Sequence, residues 1–128
     1  MSASSVSKRQ LILEIQGKEK IPCDLKRHLS PLTVGTIVRS LPLEGNAHRL
    51  GQSILYFETT IDSGIERAKS EFKKGDVAFL PSSGSICFFI NDVTSAKTMT
   101  LIGKLTEKID TLKDVKSGDV FRLYEDTA

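Results

Sequence analysis

Few side chains in this sequence have the chemistry of a reaction centre, and their spacing narrows the options further. The histidines are His28 and His48, and the thiols are Cys23 and Cys87. Together they carry the donor atoms of a zinc site, but no pair has the short spacing such ligand sets use, so no metal and no cofactor are expected. Ser82-Ser83-Gly84-Ser85 offers hydroxyls without the Gly-x-Ser-x-Gly frame of an activated serine; it has the composition of a turn. Gly103-Lys104 lacks the preceding glycine loop of a phosphate cradle. Both cysteines sit in apolar runs, which fits two buried thiols better than a disulfide.

The elements that would position such groups centre on Gly75 to Asn91. Val77 to Leu80 and Ile86 to Ile90 are unbroken apolar runs, joined by Pro81-Ser82-Ser83-Gly84-Ser85. They read as a hairpin of two strands. Alternation puts Val77 and Phe79 on one face and Ala78 and Leu80 on the other; Ile86, Phe88 and Ile90 oppose Cys87 and Phe89. A strand apolar on both faces is covered on both, by a core inside and by packed chain or a ligand groove outside. Val77, Phe79, Phe88 and Leu101 are the expected core.

Leu11, Leu13 and Ile15 alternate as a strand, and Ile21 to Leu25 returns beside it, with Pro22 marking an edge or a strand start. Ser30-Pro31 opens a helix near residues 31 to 40, the serine capping its free amides. Val34, Ile37, Val38 and Leu41 make its apolar stripe, Pro42 ends it, and Gly35 is a candidate for close packing. Ser53 to Thr59 is a strand; Ile61 to Glu71 is ambiguous, since Ile65, Ala68 and Phe72 have helical spacing while the charge of the segment fits mostly loop with a strand. Thr98 to Gly103 is another strand, Ile109, Leu112 and Val115 space as a second short helix near 108 to 115, and Val120 to Tyr124 closes the chain as a strand. Many short strands with two helices give a mainly β class, a barrel of mostly antiparallel strands.

The chain has 128 residues, 39% apolar and 27% charged, with a formal net charge of +2. That is one domain with a real core, residues 11–128, behind a loose Ser-rich tail over residues 1–10. Lysines and arginines interleave with acids and aromatics are few, so nucleic acid is not an expected partner. No apolar run approaches the roughly 20 residues that span a bilayer, and the N-terminus is not a secretory signal, so no membrane partner and a cytoplasmic location are expected.

Several segments resemble the cyclophilins: Pro31 to Leu41 their first helix, Gly84 to Ile90 their Gly-Ser-Gln-Phe-Phe-Ile strand, and Gly103-Lys104-Leu105 with Leu112 and Val115 their Phe-Gly-Lys-Val strand and second helix. A closer resemblance is to the small microbial proteins called cyclophilin-like. It rests on Leu41-Pro42-Leu43-Glu44-Gly45, Arg49-x-Gly51, Tyr56-Phe57, Gly75-Asp76, the Pro81 to Phe89 hairpin and Gly118-Asp119. The resemblance implies a closed cyclophilin-like barrel of about eight strands with a helix over each open end.

Cyclophilins twist the bond before proline, whose barrier is ~18–20 kcal/mol because the amide is conjugated. That chemistry asks for an apolar pocket and a fixed arginine, not a nucleophile. By resemblance Phe89 takes the place of a pocket phenylalanine, Arg49 that of the arginine, and Gln52 the only substitute for a following polar segment. Cys87 stands where cyclophilins carry a peptide-binding glutamine, and the chain has no tryptophan. The expected ligand-binding set is therefore Arg49, Gln52, Tyr56, Phe79, Cys87 and Phe89. The favoured reading is a module that binds a peptide or small molecule in an apolar groove. The alternative is a weak peptidyl-prolyl cis-trans isomerase with Arg49 as its catalytic residue. A third reading is a structural or oligomer-forming protein whose hairpin faces a second subunit.

Overall fold

The structure, a computed structural model, describes residues 8–126. The strands are β1 (Lys8–Ile15), β2 (Glu19–Lys26), β3 (Leu43–Asn46), β4 (His48–Leu50), β5 (Ile54–Glu58), β6 (Lys69–Phe72), β7 (Asp76–Leu80), β8 (Ser85–Phe89), β9 (Val93–Leu105) and β10 (Val120–Glu125). Among the described residues the helices are one α-helix, α1 (Pro31–Ser40), and one 3-10 helix, Ile109–Asp114. Every strand pairing is antiparallel. β1 begins at Lys8, so Lys8 to Gln10, expected in the tail, are strand; the rest of the expected tail, residues 1–7, lies outside the described residues.

The sheet is not the closed, roughly eight-stranded barrel that the resemblance implied. It has 10 strands, nine of them in the order β3-β10-β1-β2-β9-β7-β8-β5-β4, with β6 added to β9 off this path. The path ends, β3 and β4, are consecutive in sequence with only Ala47 between them. Residues 43–46 pair with β10 and residues 48–50 with β5, so no residue bonds to both neighbours and the ladder has no continuous ring. The sheet nonetheless curls round one interior. Phe57 of β5, Phe88 of β8 and Phe121 of β10 meet there, with ring centroids 5.5 to 6.3 Å apart. Such pairs add about 0.5–1.5 kcal/mol each beyond the area they bury.

Alternation explains the interior. Leu11, Leu13 and Ile15, then Ile21, Cys23 and Leu25, point inward and are buried. Val77, Phe79 and Phe88 are buried as expected, while Leu101 is only partly so. Pro22 does not mark an edge: β2 lies between β1 and β9. It sits just outside the β9 ladder, which holds Cys23 to Leu25 only, where a missing N–H breaks nothing.

The helices close opposite ends of the interior. Val34 and Ile37 of α1 are buried, and Ser30 Oγ donates to Leu101 O at 2.9 Å, near the Phe79 end of β7. Ser30 therefore does not cap α1 with its side chain; the Glu66 carboxylate does. Gly35 is not required by a neighbouring element, since a Cβ there would meet only the Arg39 guanidinium. At the other end Ile109 lies against Gly75, and Leu112 and Val115 are buried. The three-residue spacing of Ile109, Leu112 and Val115 suits a 3-10 helix, in which i and i+3 eclipse.

Candidate functional site

The outer face of β5, β8 and β7 forms the floor of a groove. Outward alternation gives it Ile54, Tyr56 and Glu58 from β5, Ser85 and Cys87 from β8, and Leu80 from β7. Register makes these neighbours: Tyr56 pairs directly with Cys87, and Glu58 with Ser85. β9 supplies the far wall. Its register with β6 jumps from Glu71–Thr94 to Lys69–Met99, and the residues between, Ser95 to Thr98, swing out of the ladder. Val93 to Lys97 and Met99 line that side, and Leu50 and Gly51 line the other. The groove encloses about 560 Å3 and its lining is mainly apolar. Its charged side chains are Glu58 and Lys97.

The hairpin turn at its end depends on Gly84. The residue has φ +67, and a Cβ there would lie 2.6 Å from Thr59 O. Gly84 also bonds to Thr59: its carbonyl accepts from Thr59 N at 2.9 Å and from Thr59 Oγ1 at 2.7 Å. No side chain beyond glycine fits between these strands without moving the floor.

The expected ligand set divides into three places. Tyr56 and Cys87 share the groove floor. Phe89 is on the same face but fully covered: Phe72 of β6 stacks on it, and Ile54, Ala78 and Met99 pack around it. Phe79 is not on this face. β7 and β8 pair Phe79 with Ile86 and Ala78 with Cys87, which turns Phe79 into the interior. Arg49 and Gln52 line a separate cleft with Gly51, Ile90, Asn91 and Lys113. Arg49 Nε donates to Val115 O at 3.1 Å and Nη2 to Lys113 O at 2.6 Å. The arginine thus anchors β4 to the end of the 3-10 helix and the residue after it, Val115, and does not reach over the groove.

Cys87 is 2% exposed, and burial pushes its thiol up to about 12. It is a neutral, apolar part of the floor at physiological pH, not a nucleophile. Leu80, Met99 and the Val93 to Lys97 wall were not among the expected site residues. For Leu80 the signal was present, since it shares the outward face with Ala78. The polar run Ser95-Ala96-Lys97 carries no comparable signal.

The chain matches the cyclophilin-like family over residues 9–124. It belongs to that family. Solved structures place this cyclophilin-like chain beside two others in fold. A hypothetical protein from Archaeoglobus fulgidus, AF2241, solved in solution, superposes with a TM-score of 0.76 at 23% identity, covering 94% of this chain and 96% of that one. McbB, solved in complex with tryptophan, superposes with a TM-score of 0.78 at 16% identity, covering 93% of this chain and 45% of that one. No curated protein matches the sequence. The family's other sequence signatures are structural here. Gly75 N donates to Phe89 O at 2.7 Å, and Asp76 Oδ2 accepts from Lys73 N at 2.8 Å. Gly118 N donates to Ala47 O, and Asp119 Oδ2 accepts from Lys116 N and Lys18 Nζ. No described helix is long and apolar enough to cross a membrane.

Proposed function

We propose that this cyclophilin-like chain is a binding module that holds a short peptide or a flat small molecule in the groove over Tyr56 and Cys87. The observation that carries this reading is the groove itself, about 560 Å3, mainly apolar, and edged by few polar groups. Sites for small ligands have that size and that mixture. McbB, similar in fold, is solved with tryptophan, and a small aromatic molecule suits a floor of this kind. Proline-containing peptides suit it too, because a preformed extended segment loses little entropy on docking.

Isomerisation is the weaker reading. It asks for a fixed cation over the twisting amide, and Arg49 is held by Val115 O and Lys113 O beside a different cleft. NMR titration with short X-Pro peptides separates the two. Binding alone shifts Tyr56, Leu80, Cys87 and Met99, with peptide cis-trans exchange staying at tens of seconds or slower. Fast exchange that disappears in Arg49→Ala would favour the enzyme, and shifts confined to another surface would remove the groove assignment.

A further inference from the structure

The cleft at Arg49 has a chemistry unlike that of the groove. It encloses about 490 Å3 where the β4–β5 turn, the end of β8 and the 3-10 helix meet. Its lining contains two cations, Arg49 and Lys113, two carboxamides, Gln52 and Asn91, and no carboxylate. The Arg49 guanidinium is half-buried and its plane is fixed by the carbonyls of Val115 and Lys113. A guanidinium carries five N–H donors, so these bonds leave others to give. Among the described residues, none of the ion pairs includes Arg49.

The second cation is only partly neutralised. Lys113 Nζ lies 3.5 Å from Asp110 Oδ1, but that oxygen is closer, at 2.8 Å, to Lys74 Nζ. One carboxylate therefore serves two lysines, and the charged side chains of the lining itself are both positive. Asn91 Nδ2 donates to Gln52 O at 3.3 Å and to Ser53 Oγ at 3.4 Å, which occupies both its N–H groups and fixes that wall of the cleft. A fixed, half-buried guanidinium with an exposed ammonium beside it matches the needs of a phosphate oxyanion. The planar fork grips two oxygens while the point charge follows the third.

We propose that the Arg49 cleft is a phosphate-binding site, distinct from the apolar groove. The role that sequence resemblance gave Arg49, a donor to a substrate amide, is replaced by that of an anion clamp.

The probe is inorganic phosphate titrated into the full chain and followed by amide and arginine side-chain NMR, at constant ionic strength set with chloride. The expected result is saturable shifts at Gln52, Asn91 and the Arg49 Nη–H groups, with Tyr56 and Cys87 unmoved. Arg49→Gln should weaken binding about tenfold or more, since it removes a charge-assisted bidentate contact. Because Arg49 also ties β4 to Val115, that variant needs a companion: Lys113→Gln is at an exposed position, keeps the fold, and should weaken phosphate several-fold. Shifts that do not saturate, that chloride reproduces, or that persist undiminished in Lys113→Gln and Arg49→Gln would overturn the proposal. None of these outcomes bears on peptide binding at Tyr56, so the two sites fail independently.

Discussion

Phe72 lies flat on Phe89, ring centroids 4.4 Å apart and planes 15° from parallel. β6 brings Phe72 to the outer face of β8, and with Ala78, Cys87, Ile54 and Met99 the pair forms a second small core outside the sheet. The groove shares Ile54, Cys87 and Met99 with this core and stops at the Phe72–Phe89 pair. Phe89 is thus the buttress of the groove and not its lining.

Replacing Phe72 with alanine should strip that cover. A buried Phe→Ala change costs about 3–5 kcal/mol, and a peripheral cluster that can partly collapse belongs at the low end. Phe89 would then join the groove floor. Urea unfolding should show the loss, and an apolar dye should bind the variant more strongly than the parent. Unchanged stability would mean that β6 is not what covers the face.

The faces of this sheet were legible in the sequence. Alternation in Val77–Leu80 and Ile86–Ile90 assigns every inward and outward side chain correctly. The same alternation already separates Phe79 from Phe89, because antiparallel pairing that sets Ala78 against Cys87 must set Phe79 against Ile86. Resemblance to a cyclophilin pocket drew both into one groove, and register excludes that. What lies over the outer face was not legible. It comes from β6 and the bulged half of β9, whose sequences, Lys-Ser-Glu-Phe and Val-Thr-Ser-Ala-Lys-Thr, show one apolar anchor each among polar residues. The open ladder was hidden for a similar reason: Leu43 to Gly51, with Gly45, Asn46 and Gly51, has the composition of a loop, yet residues 43–50 are one extended segment shared by two neighbours. The fate of Arg49 depended on carbonyls more than sixty residues away, which no local pattern encodes.

The thiols give a pH-dependent prediction. Cys23 faces the interior and Cys87 the groove floor, and burial pushes both from 9.0 up to about 12, with the Asp24 charge adding to the effect at Cys23. The fold accommodates the protonated thiol. An unfolded chain releases that proton near the ordinary value, so the thiols' contribution to folding stability is flat below it and falls as pH rises from about 9 towards 12. At neutral pH neither cysteine should react with a thiol-selective disulfide reagent in the native protein, and both should react in denaturant. Rapid labelling of native Cys87 at neutral pH would show that the groove floor opens to solvent.

Glu66 closes the other end of the molecule in a way that predicts acid sensitivity. Its Oε1 accepts from Thr33 N at 2.7 Å and Thr33 Oγ1 at 2.6 Å, and its Oε2 from Leu32 N at 3.2 Å. Its own amide donates to Thr100 Oγ1 at 2.9 Å. The loop between β5 and β6 thereby supplies the cap that Ser30 does not, and the carboxylate sits at the positive end of α1. Burial pushes this carboxyl up, but the bonds from Thr33 and Leu32 and the charge of Arg67 outweigh it and hold the group below its usual value. A lowered carboxyl stabilises the fold above its unfolded value, and that contribution is lost as pH falls through the folded one. Glu66→Gln should therefore cost about 1 kcal/mol at neutral pH, and Glu66→Ala about 1–2 kcal/mol, with faster amide exchange at Leu32 and Thr33. The gap between parent and Glu66→Gln should begin to shrink as pH drops below about 4 and close once pH is below the lowered folded value, where both side chains are neutral. Thermal unfolding across that range checks it, and a gap that stays constant with pH would show that the carboxylate's charge does not hold the loop to the helix.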